Sequence, residues 1–422
     1  MGTYKALCYD TGMDKTAVPK DPFDPWTRIP PEEFVARQEK VREEAARAGF
    51  SGAVVWSRGG AFMDMSQDVL YLTSHYSQQP YMGDEAGIGS ARSHGVVILP
   101  VDGPTILIVD IPWWRRDLVV ADDVRPSIDV AAAAAQAVRD AGLATGRLAL
   151  VGASSMTAAA YLGFAGRLPG TDLVRADRLV ERVRMVKSDA ELDVIRRAAT
   201  VGSRSMDAMT ATVTEGATEA EAVAEASRVL IAAGGVLYDA ACASGPTAAG
   251  FTSARLPSAD AIRRFVRGDM FHVDYYGAYG GYFFDFARSR VVGDDPDPVQ
   301  RALVEGTISL VEEVCAAIRP GRTAGEVYAC GAKAYASLDV VRSLPPVEQE
   351  MEGFPAFGHG IGLMWEMPWI MPEEPTELVP GMCLGIEVLL GHPDLGGAMF
   401  EENGIVTASG FEILTDARKR WW

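Results

Sequence analysis

The chain has 422 residues, of which 48% are hydrophobic and 23% charged, a composition that is typical of a folded protein with two or three domains. Its formal net charge of −18 repels phosphate backbones, so we expect no nucleic-acid partner. The sequence has no apolar run of about 18 residues and no signal-peptide pattern, and its five cysteines are widely spaced. We therefore expect a cytoplasmic protein with reduced thiols, no membrane contact and no cysteine-bound zinc cluster.

The first part of the chain predicts an irregular arm followed by a compact α/β domain. Residues 1–30 are rich in Pro, Asp and Lys without periodicity, whereas residues 31–50 predict an amphipathic helix with Phe34, Val41 and Ala45 on one face. Beyond it, apolar strand patterns alternate with helical ones. The predicted strands are 52–56, 69–73, 94–100, 104–110 and 147–152, and the predicted helices cover about 131–142 and a stretch from about 155.

Three Ser/Thr-x-x-Glu patterns predict helix starts in the second half of the chain. In such a capping box each side chain satisfies a free amide at the first turn of the helix. The pairs are Ser188 with Glu191, Thr218 with Glu221, and Thr323 with Glu326. From about residue 237 the pattern changes mostly to strand, in segments that include MFHVDYYG, GGYFFDFARSR, MCLGIEVLL and MFEENGIVT.

Four carboxylates interrupt the apolar runs of these predicted strands. They are Asp274 in FHVDYYG, Asp285 in GGYFFDFARS, Glu387 in CLGIEVLL and Glu401 in MFEENGIV. One such residue alone is more often an acid at a strand end or on an exposed face, because an ionised carboxylate is costly to bury without a partner. Four of them without a matching run of buried Arg or Lys favour bound cations, and His359 in FGHGIG adds an imidazole.

Four carboxylates and one imidazole suit two divalent ions such as Mn, Fe, Co or Zn. Two ions held by shared carboxylates activate a water nucleophile and polarise a carbonyl group. Magnesium fits this set less well, since it prefers oxygen ligands and keeps several waters. The pattern therefore predicts a two-metal hydrolase whose ligands are Asp274, Asp285, His359, Glu387 and Glu401.

The order of these segments closely resembles the pita-bread metallohydrolases of the M24 peptidase family, which include methionine aminopeptidase, prolidase, aminopeptidase P and creatinase. The resemblance covers roughly residues 31–415 and includes RMVKSDAELDVIRRAA, which is similar to the family's linker into the catalytic domain. It implies an α+β fold in which a smaller creatinase-like α/β domain at 31–182 precedes a pita-bread catalytic domain at 183–422. It also implies a homodimer.

The resemblance assigns a role to each of the five ligands. It implies that one residue pair bridges both ions, that one residue binds a single ion, and that the last pair binds the other ion. The bridging pair is Asp285 and Glu401, the single ligand is Asp274, and the last pair is His359 and Glu387. Glu402 adjoins Glu401, so the position of this ligand stays open by one residue.

Two histidines common in the peptidase branches of this family are missing here. The first follows an SGPN-like stretch, where this sequence has ASGPTAAGFTSARLP and either Phe251 or Thr252 at the corresponding place. The second follows GHGIG as His-Glu before a proline, where GHGIGLMWEMP has Trp365 or Glu366. In the peptidases these imidazoles bind the substrate carbonyl and assist proton transfer. Their absence beside five intact ligands predicts a changed substrate rather than a catalytically inactive protein.

Several other residues are candidates for the chemistry around the ligands. Glu366 could replace a histidine as general acid or base, or it could be an acid in an ion pair on a loop. Trp365 and Trp369 are candidates for substrate binding, since indole faces hold cations and aromatic groups, whereas core packing is the alternative for most aromatic residues of the strands. We also predict substrate contacts for His75 in the N-terminal domain and for Arg288.

Three interpretations of function follow, each with a small-molecule substrate at the metal site. The first is a hydrolase that cleaves a C–N bond in a small polar molecule, similar to creatinase or ectoine hydrolase. The second is an Xaa-Pro dipeptidase or aminopeptidase. The third is a lyase on the same scaffold, similar to dimethylsulfoniopropionate lyases, in which Glu366 would abstract a proton.

Overall fold

The computed structural model describes residues 29–59, 67–77, 83, 89–251, 259–343 and 356–422, and the predicted arm at 1–30 falls almost entirely outside these ranges. The helices are α1 Pro31–Arg47, α2 Gln67–Thr73, α3 Val130–Asp140, α4 Ala158–Ala165, α5 Arg178–Arg184, α6 Asp189–Thr212, α7 Glu219–Ala232, α8 Pro298–Ala317, α9 Ala324–Ser337 and α10 Asp339–Ser343. The strands are β1 Gly52–Arg58, β2 His94–Pro100, β3 Ile106–Val109, β4 Asp123–Pro126, β5 Arg147–Val151, β6 Asp172–Arg175, β7 Val236–Ser244, β8 Met270–Tyr279, β9 Tyr282–Val291, β10 Gly358–Ile361, β11 Trp365–Trp369, β12 Cys383–His392, β13 Gly396–Thr407 and β14 Gly410–Ile413. Among the helices of the described ranges, none is both long and apolar enough to cross a membrane.

The N-terminal domain is built on one mixed sheet with the strand order β4-β3-β2-β1-β5-β6. Strand β1 pairs antiparallel with β2 and parallel with β5, so the sheet combines hairpin and crossover connections. Helices α3 and α4 pack on one face of this sheet, and α1, α2 and α5 pack on the other. Because both faces are covered, the strands are apolar along their length, which is the predicted α/β arrangement.

The C-terminal domain places two antiparallel sheets next to each other, with the orders β7-β8-β9 and β11-β10-β12-β13-β14. Strand β9 lies beside β13, where the Ser289 hydroxyl donates to the Met399 carbonyl at 2.9 Å and accepts from the Met399 amide at 2.8 Å. Helices α6 and α7 cover the first sheet, and α8 and α9 cover the second. Together with the N-terminal domain this gives the predicted α+β class.

The three predicted capping boxes are confirmed at the starts of α6, α7 and α9. In each, the Ser or Thr side chain accepts from the backbone amide of the glutamate, whose side chain accepts from the cap amide in return. A fourth box starts α8, where Asp297 accepts from the Gln300 amide at 2.9 Å and the Gln300 side chain accepts from the Asp297 amide at 3.1 Å. The Ser/Thr-x-x-Glu pattern does not include this box, because Asp and Gln replace the Ser/Thr and Glu of the other three.

One predicted strand is wrong, because residues 69–73 form most of helix α2. Their side chains are all buried, between α1 and the sheet of the N-terminal domain. A run of five apolar residues has no period that separates a buried strand from a buried helical turn. The helix was therefore not distinguishable from a strand by pattern alone.

Polar contacts join the two domains where α1 meets the start of α6. The Arg37 guanidinium lies 3.4 Å from the Glu191 carboxylate and 4.2 Å from the centroid of the Tyr71 ring. The Tyr282 hydroxyl of β9 donates to the same Glu191 carboxylate at 2.8 Å. Because Arg37 and Glu191 are buried, these contacts fix the N-terminal domain against the catalytic sheet.

Candidate metal centre

The first catalytic sheet turns two aspartates away from its covering helices. Tyr275, Phe284 and Phe286 pack into the core formed with α6 and α7. Successive side chains of a strand point to opposite faces, so the neighbouring Asp274 of β8 and Asp285 of β9 point to the other face. The same face of the molecule therefore receives both predicted aspartate ligands.

The second sheet brings two glutamates and a histidine to this face. Glu387 of β12 and Glu401 of β13 stand directly opposite each other in the antiparallel register. His359 of β10 pairs with Gly385, two residues before Glu387. Two like charges directly opposite each other destabilise a strand pair, so this register favours a bound cation or protonated carboxyl groups.

These five side chains meet in one group, which we call the carboxylate–histidine cluster: Asp274, Asp285, His359, Glu387 and Glu401. Ligand atoms of Asp285, His359 and Glu401 lie within 4.8 Å of one another, and so do those of Asp274, Glu387 and Glu401. His359 Nε2 is 3.5 Å from a carboxylate oxygen of Asp285 and 3.5 Å from one of Glu387. Glu401 belongs to both three-residue groups, which is the geometry that a bridging residue needs.

Burial shifts the pKa of every member of the cluster toward its neutral form. Burial raises the pKa of Asp274 to about 6, and burial together with the Asp274 charge raises the pKa of Glu387 to about 8. The pKa values of Asp285 and Glu401 are raised well above the ordinary range by burial and then by the neighbouring carboxylates. Burial lowers the pKa of His359 to about 4, so its imidazole is neutral at physiological pH and able to bind a cation.

The oxygens of the cluster lack the partners that buried carboxylates need. Asp274 Oδ1, Asp285 Oδ1 and both carboxylate oxygens of Glu401 are buried without a hydrogen bond to any described residue. Within the described residues, the ion pairs of these carboxylates involve only His359. Four carboxylates and one neutral imidazole are a donor set that fits Mn, Fe, Co or Zn. Such ions, when bound, supply a Lewis acid for a substrate carbonyl and a water nucleophile at neutral pH.

Two residues that the sequence analysis missed shape the cluster. The Asn403 side chain accepts from the Asp285 amide at 3.0 Å and donates to the Asp285 carbonyl, which fastens β13 to β9 beside a ligand. A side chain at Gly385 would collide with the Glu401 carboxylate and would come within 3.3 Å of the His359 ring. Their only signal in the sequence is that each lies two residues from a predicted glutamate ligand.

Glu401 and Glu402, between which the sequence left the ligand open, point in different directions. The Glu402 carboxylate accepts from Arg288 at 2.9 Å and lies 3.2 Å from the Lys419 ammonium, away from the cluster.

The prediction that Arg288 contacts the substrate is corrected by its position in the structure. Arg288 has no exposed surface, and its guanidinium also donates to the Glu401 carbonyl. It braces strand β13 and has no face toward a substrate.

Of the two residues considered at the second missing histidine, Trp365 faces the cluster. Its indole N–H donates to Oδ2 of Asp285, and its ring centroid lies 6.2 Å from that of His359. Trp369 pairs with His359 across the strands, at a ring distance of 5.3 Å. Trp365 is 39% exposed, so one of the two indoles beside the histidine is open to solvent. Their substrate contacts stay a prediction.

The first missing histidine falls at the edge of the described residues. Phe251 is 43% exposed, and its carbonyl oxygen lies 3.2 Å from Nε2 of His272. His272 is fully buried, and burial lowers the pKa of its imidazole. Thr252 begins a stretch that lies outside the described residues.

Glu366 points away from the cluster into a buried group that we call the Glu366 network: Glu366, Arg184, Lys187 and Asp68. The Glu366 carboxylate lies 2.8 Å from the Arg184 guanidinium and contacts the Lys187 ammonium. Arg184 in turn reaches Asp68 at 2.5 Å. These contacts are those of the ion-pair alternative, on strand β11 rather than on a loop. The sequence did not reveal the pairing because the two cations lie 182 and 179 residues before Glu366.

Replacing Glu366 with Gln is expected to destabilise the protein by about 3–5 kcal/mol, because two buried cations would lose a shared counter-charge. Urea unfolding followed by circular dichroism measures the change. Glu412→Gln is a matched control, since Glu412 is an exposed acid that pairs with Arg196, and we expect it to cost less than about 1 kcal/mol. Unchanged stability with lost turnover would instead identify Glu366 as a general acid or base.

His75 lies after helix α2 in the N-terminal domain. Its ring packs near Gly95 and Val69, since a Cβ at Gly95 would lie 3.4 Å from the imidazole and 3.4 Å from the Val69 side chain. His75 is 4% exposed, and burial lowers its pKa to about 4. These contacts lie within the N-terminal domain, and the predicted substrate contact of His75 stays a prediction.

Comparison with known protein families identifies the family to which the chain belongs. Residues 193–408, more than half of the chain, match Metallopeptidase family M24. The chain belongs to metallopeptidase family M24. Residues 37–186 of this M24 chain match the Creatinase/Prolidase N-terminal domain. The predicted pita-bread α+β fold with a creatinase-type N-terminal domain is thereby confirmed, and the class of enzyme is a metal-dependent hydrolase.

Several proteins are similar to this M24 chain in sequence. The Xaa-Pro dipeptidase of Pyrococcus furiosus is 28% identical over 249 residues, which are 58% of this chain and 67% of that protein. The probable dipeptidase PepE of Mycobacterium tuberculosis is 32% identical over 246 residues, 56% of this chain and 60% of that protein. The matched stretches thus span about two thirds or less of the length of these curated relatives.

Solved structures resemble this M24 chain over nearly its whole length. Dipeptidase PepE from Mycobacterium ulcerans superposes with a TM-score of 0.72 at 24% identity, over 93% of this chain and 98% of that one. The prolidase from Pyrococcus horikoshii superposes with a TM-score of 0.72 at 19% identity, over 91% and 99% of the two chains. At such low identity the likeness concerns the fold.

Proposed function

We propose that this M24 chain is a dinuclear metal-dependent dipeptidase that hydrolyses the amide bond of short Xaa-Pro peptides. The observation that carries the proposal is the buried carboxylate–histidine cluster, in which Glu401 is shared by two groups of three ligand residues. The relatives named Xaa-Pro dipeptidase and PepE support the substrate class. The cofactor in this proposal is a pair of Mn, Fe, Co or Zn ions.

Each residue of the cluster has a defined task in this proposal. Glu401 would hold both ions, since it belongs to both groups of three ligand residues, and the family resemblance implies the same role for Asp285, which belongs to the group around His359. His359 contributes a neutral nitrogen, because burial keeps its pKa near 4. Trp365 donates its indole N–H to Asp285 and so orients a carboxylate that would hold the ions.

The other two interpretations from the sequence receive less support. The similar proteins are named as dipeptidases, so a creatinase-like or ectoine-hydrolase-like activity on a small polar molecule is replaced by peptide hydrolysis. The lyase interpretation needs a free acidic base at Glu366. The Glu366 carboxylate instead serves Arg184 and Lys187, so we do not propose lyase chemistry.

The activity test uses the purified full chain loaded with Mn or Co. Release of free proline from Ala-Pro and Gly-Pro is expected, with much slower cleavage of Ala-Ala. Asp285→Asn should lose both the activity and the second bound ion, which metal analysis would detect. Protein that contains two ions per chain and cleaves no Xaa-Pro dipeptide would overturn the proposal, and alkene release from a sulfonium substrate would restore the lyase interpretation.

Replacing Trp365 with His is expected to raise kcat on Xaa-Pro dipeptides by about 10²-fold. An indole N–H only donates, whereas an imidazole also accepts a proton and so assists transfer to the leaving amine. Steady-state kinetics of the two proteins measure the effect. Trp365→Phe is the matched control, because it keeps an aromatic ring but has no N–H for Asp285, and it should lower kcat.

We further propose that the chain forms a homodimer, as the family resemblance implies. Sedimentation velocity on the metal-loaded protein distinguishes a dimer from a single chain. A monomer at micromolar concentration would contradict this part of the proposal.

A further inference from the structure

A further carboxylate, Asp239, lies on the face of the first catalytic sheet that carries the aspartate ligands. In the registers of β7 with β8 and of β8 with β9, Asp239 is opposite Tyr276 and Tyr276 is opposite Asp285. Cross-strand partners project to the same face of a sheet, and so do residues two apart on one strand. Asp239 therefore shares its face with Asp285 and with Asp274, which lies two residues before Tyr276.

An irregularity in strand β7 accounts for this direction of Asp239. The pairing of β7 with β8 shifts between Leu237 and Asp239, so Tyr238 is an extra residue in the ladder. A register change of one residue moves a side chain to the opposite face, and such bulges commonly re-aim side chains beside functional sites. The centroid of the Tyr238 ring lies 5.8 Å from that of Phe283, on which it stacks. Asp239 is the polar residue that follows Tyr238 in the strand.

Asp239 is exposed at the edge of the cluster, next to two aromatic rings. Its carboxylate accepts from the Tyr276 hydroxyl at 3.4 Å and from the Ala240 amide at 2.8 Å. The Tyr276 ring lies 5.3 Å from Trp365, whose indole N–H donates to Asp285. A continuous row of contacts thus joins Asp239 to a ligand.

The negative charge of Asp239 would not be neutralised by the cations that the carboxylate–histidine cluster would bind. Two divalent cations would neutralise the four carboxylates of the carboxylate–histidine cluster, and Asp239 is not one of them. No Lys or Arg of the described residues forms an ion pair with Asp239. An exposed carboxylate that accepts from the Tyr276 hydroxyl, next to the paired rings of Tyr276 and Trp365, is a site for an ammonium group, which both the charge and the aromatic rings attract.

We propose that Asp239 is a specificity-determining residue that binds an ammonium group on the substrate residue before the scissile bond. The inference rests on the proposed function, since it names a preference of that same site. The ammonium is either the α-ammonium of a free N-terminus or the side-chain ammonium of a lysine at that position. Substrates in which a neutral group replaces the ammonium are disfavoured.

The test compares the full metal-loaded chain with its Asp239→Asn variant on two substrate pairs. Ala-Pro against lactoyl-proline exchanges the α-ammonium for a hydroxyl, and Lys-Pro against Met-Pro exchanges the side-chain ammonium for a thioether. In at least one pair, Asp239→Asn should raise KM about tenfold for the substrate that carries the exchanged ammonium, with kcat nearly unchanged. The substrate that lacks this ammonium should be little affected. Asp339→Asn is the control, because Asp339 is an exposed acid of α10 that pairs with Arg342.

The outcomes separate this inference from the proposed function. A loss of preference in the first pair identifies the α-ammonium, a loss in the second identifies the side chain, and unchanged preference in both overturns the inference while the dipeptidase stands. If the wild-type chain cleaves no Xaa-Pro peptide, the proposed function fails. Calorimetry of the zinc-loaded protein with alaninamide, lysinamide and lactamide then decides, since equal affinities of wild type and Asp239→Asn for both amines would overturn the inference independently.

Discussion

Replacing Glu401 with Gln is expected to abolish turnover and, in the metal-free protein, to increase stability. Turnover should fall by at least about 10²–10³-fold, because the residue common to both ligand groups would lose the charge that holds two cations. Metal-free stability should rise by about 1–3 kcal/mol, since both Glu401 oxygens are buried and form no hydrogen bond within the described part of the chain. A glutamine amide in that place can donate to the neighbouring carboxylates.

The adjacent Glu402 offers a matched control with the opposite expected sign. Glu402 has the same side chain and is also fully buried, but its carboxylate pairs with Arg288. Glu402→Gln should therefore destabilise the metal-free protein by about 3–5 kcal/mol and leave the bound metal in place. Metal analysis, proline release and urea unfolding in EDTA measure the three effects. If both variants destabilise the metal-free protein equally, Glu401 is not an unpaired buried charge.

The metal-free protein is expected to lose stability as the pH rises from the ordinary carboxyl range toward 8. Burial raises the pKa of Asp274 from 3.8 to about 6 and that of Glu387 from 4.5 to about 8. Between those values the folded state binds more protons than the unfolded state, so the free energy of unfolding falls with increasing pH. The stabilisation from these two groups is complete below about pH 4 and is lost as the pH passes their folded-state pKa values.

Bound metal should reverse this dependence. Cations bind the deprotonated carboxylates, so their stabilising effect grows over the same pH range. At the upper end of the range, saturating metal should raise the melting temperature by an amount on the order of 10 °C. Melting curves in EDTA and in excess Mn, recorded in unit steps of pH, measure the gap. A gap that stays constant or narrows with rising pH would contradict the expected pKa shifts, and Glu401→Gln should reduce it.

The positions of the five cluster residues were predictable from the sequence because their surroundings are unusual. A carboxylate in the middle of an apolar strand has few physical explanations, and strand alternation then fixes its face. Alternation also sends the neighbouring side chains of Glu401 and Glu402 to opposite faces of the sheet, but the sequence pattern does not say which of the two faces the cluster. Only the pairing of Glu402 with Arg288 and Lys419 shows which of the two faces the cluster.

Residues that act through distant partners were not predictable in this way. Glu366 has the local sequence of a pocket acid, but its partners Arg184 and Lys187 lie in the segment that links the two domains. Arg288 follows an aspartate ligand closely in sequence and yet is completely buried. Asp239 was not predictable from the pattern, because the direction of its side chain depends on one extra residue in strand β7. In each case the decisive contact is set by tertiary pairing, which local patterns do not encode.

The Glu366 network also bears on where this protein can be divided. The M24 match begins at residue 193, whereas Arg184 and Lys187, which neutralise Glu366 on strand β11, precede it. The match ends at residue 408, whereas Lys419 lies 3.2 Å from the buried Glu402. A fragment cut to the limits of the M24 match would therefore carry buried Glu366 without Arg184 and Lys187, and buried Glu402 with Arg288 but without Lys419. The M24 match is therefore shorter than the stretch of chain that supplies the counter-charges of these two glutamates.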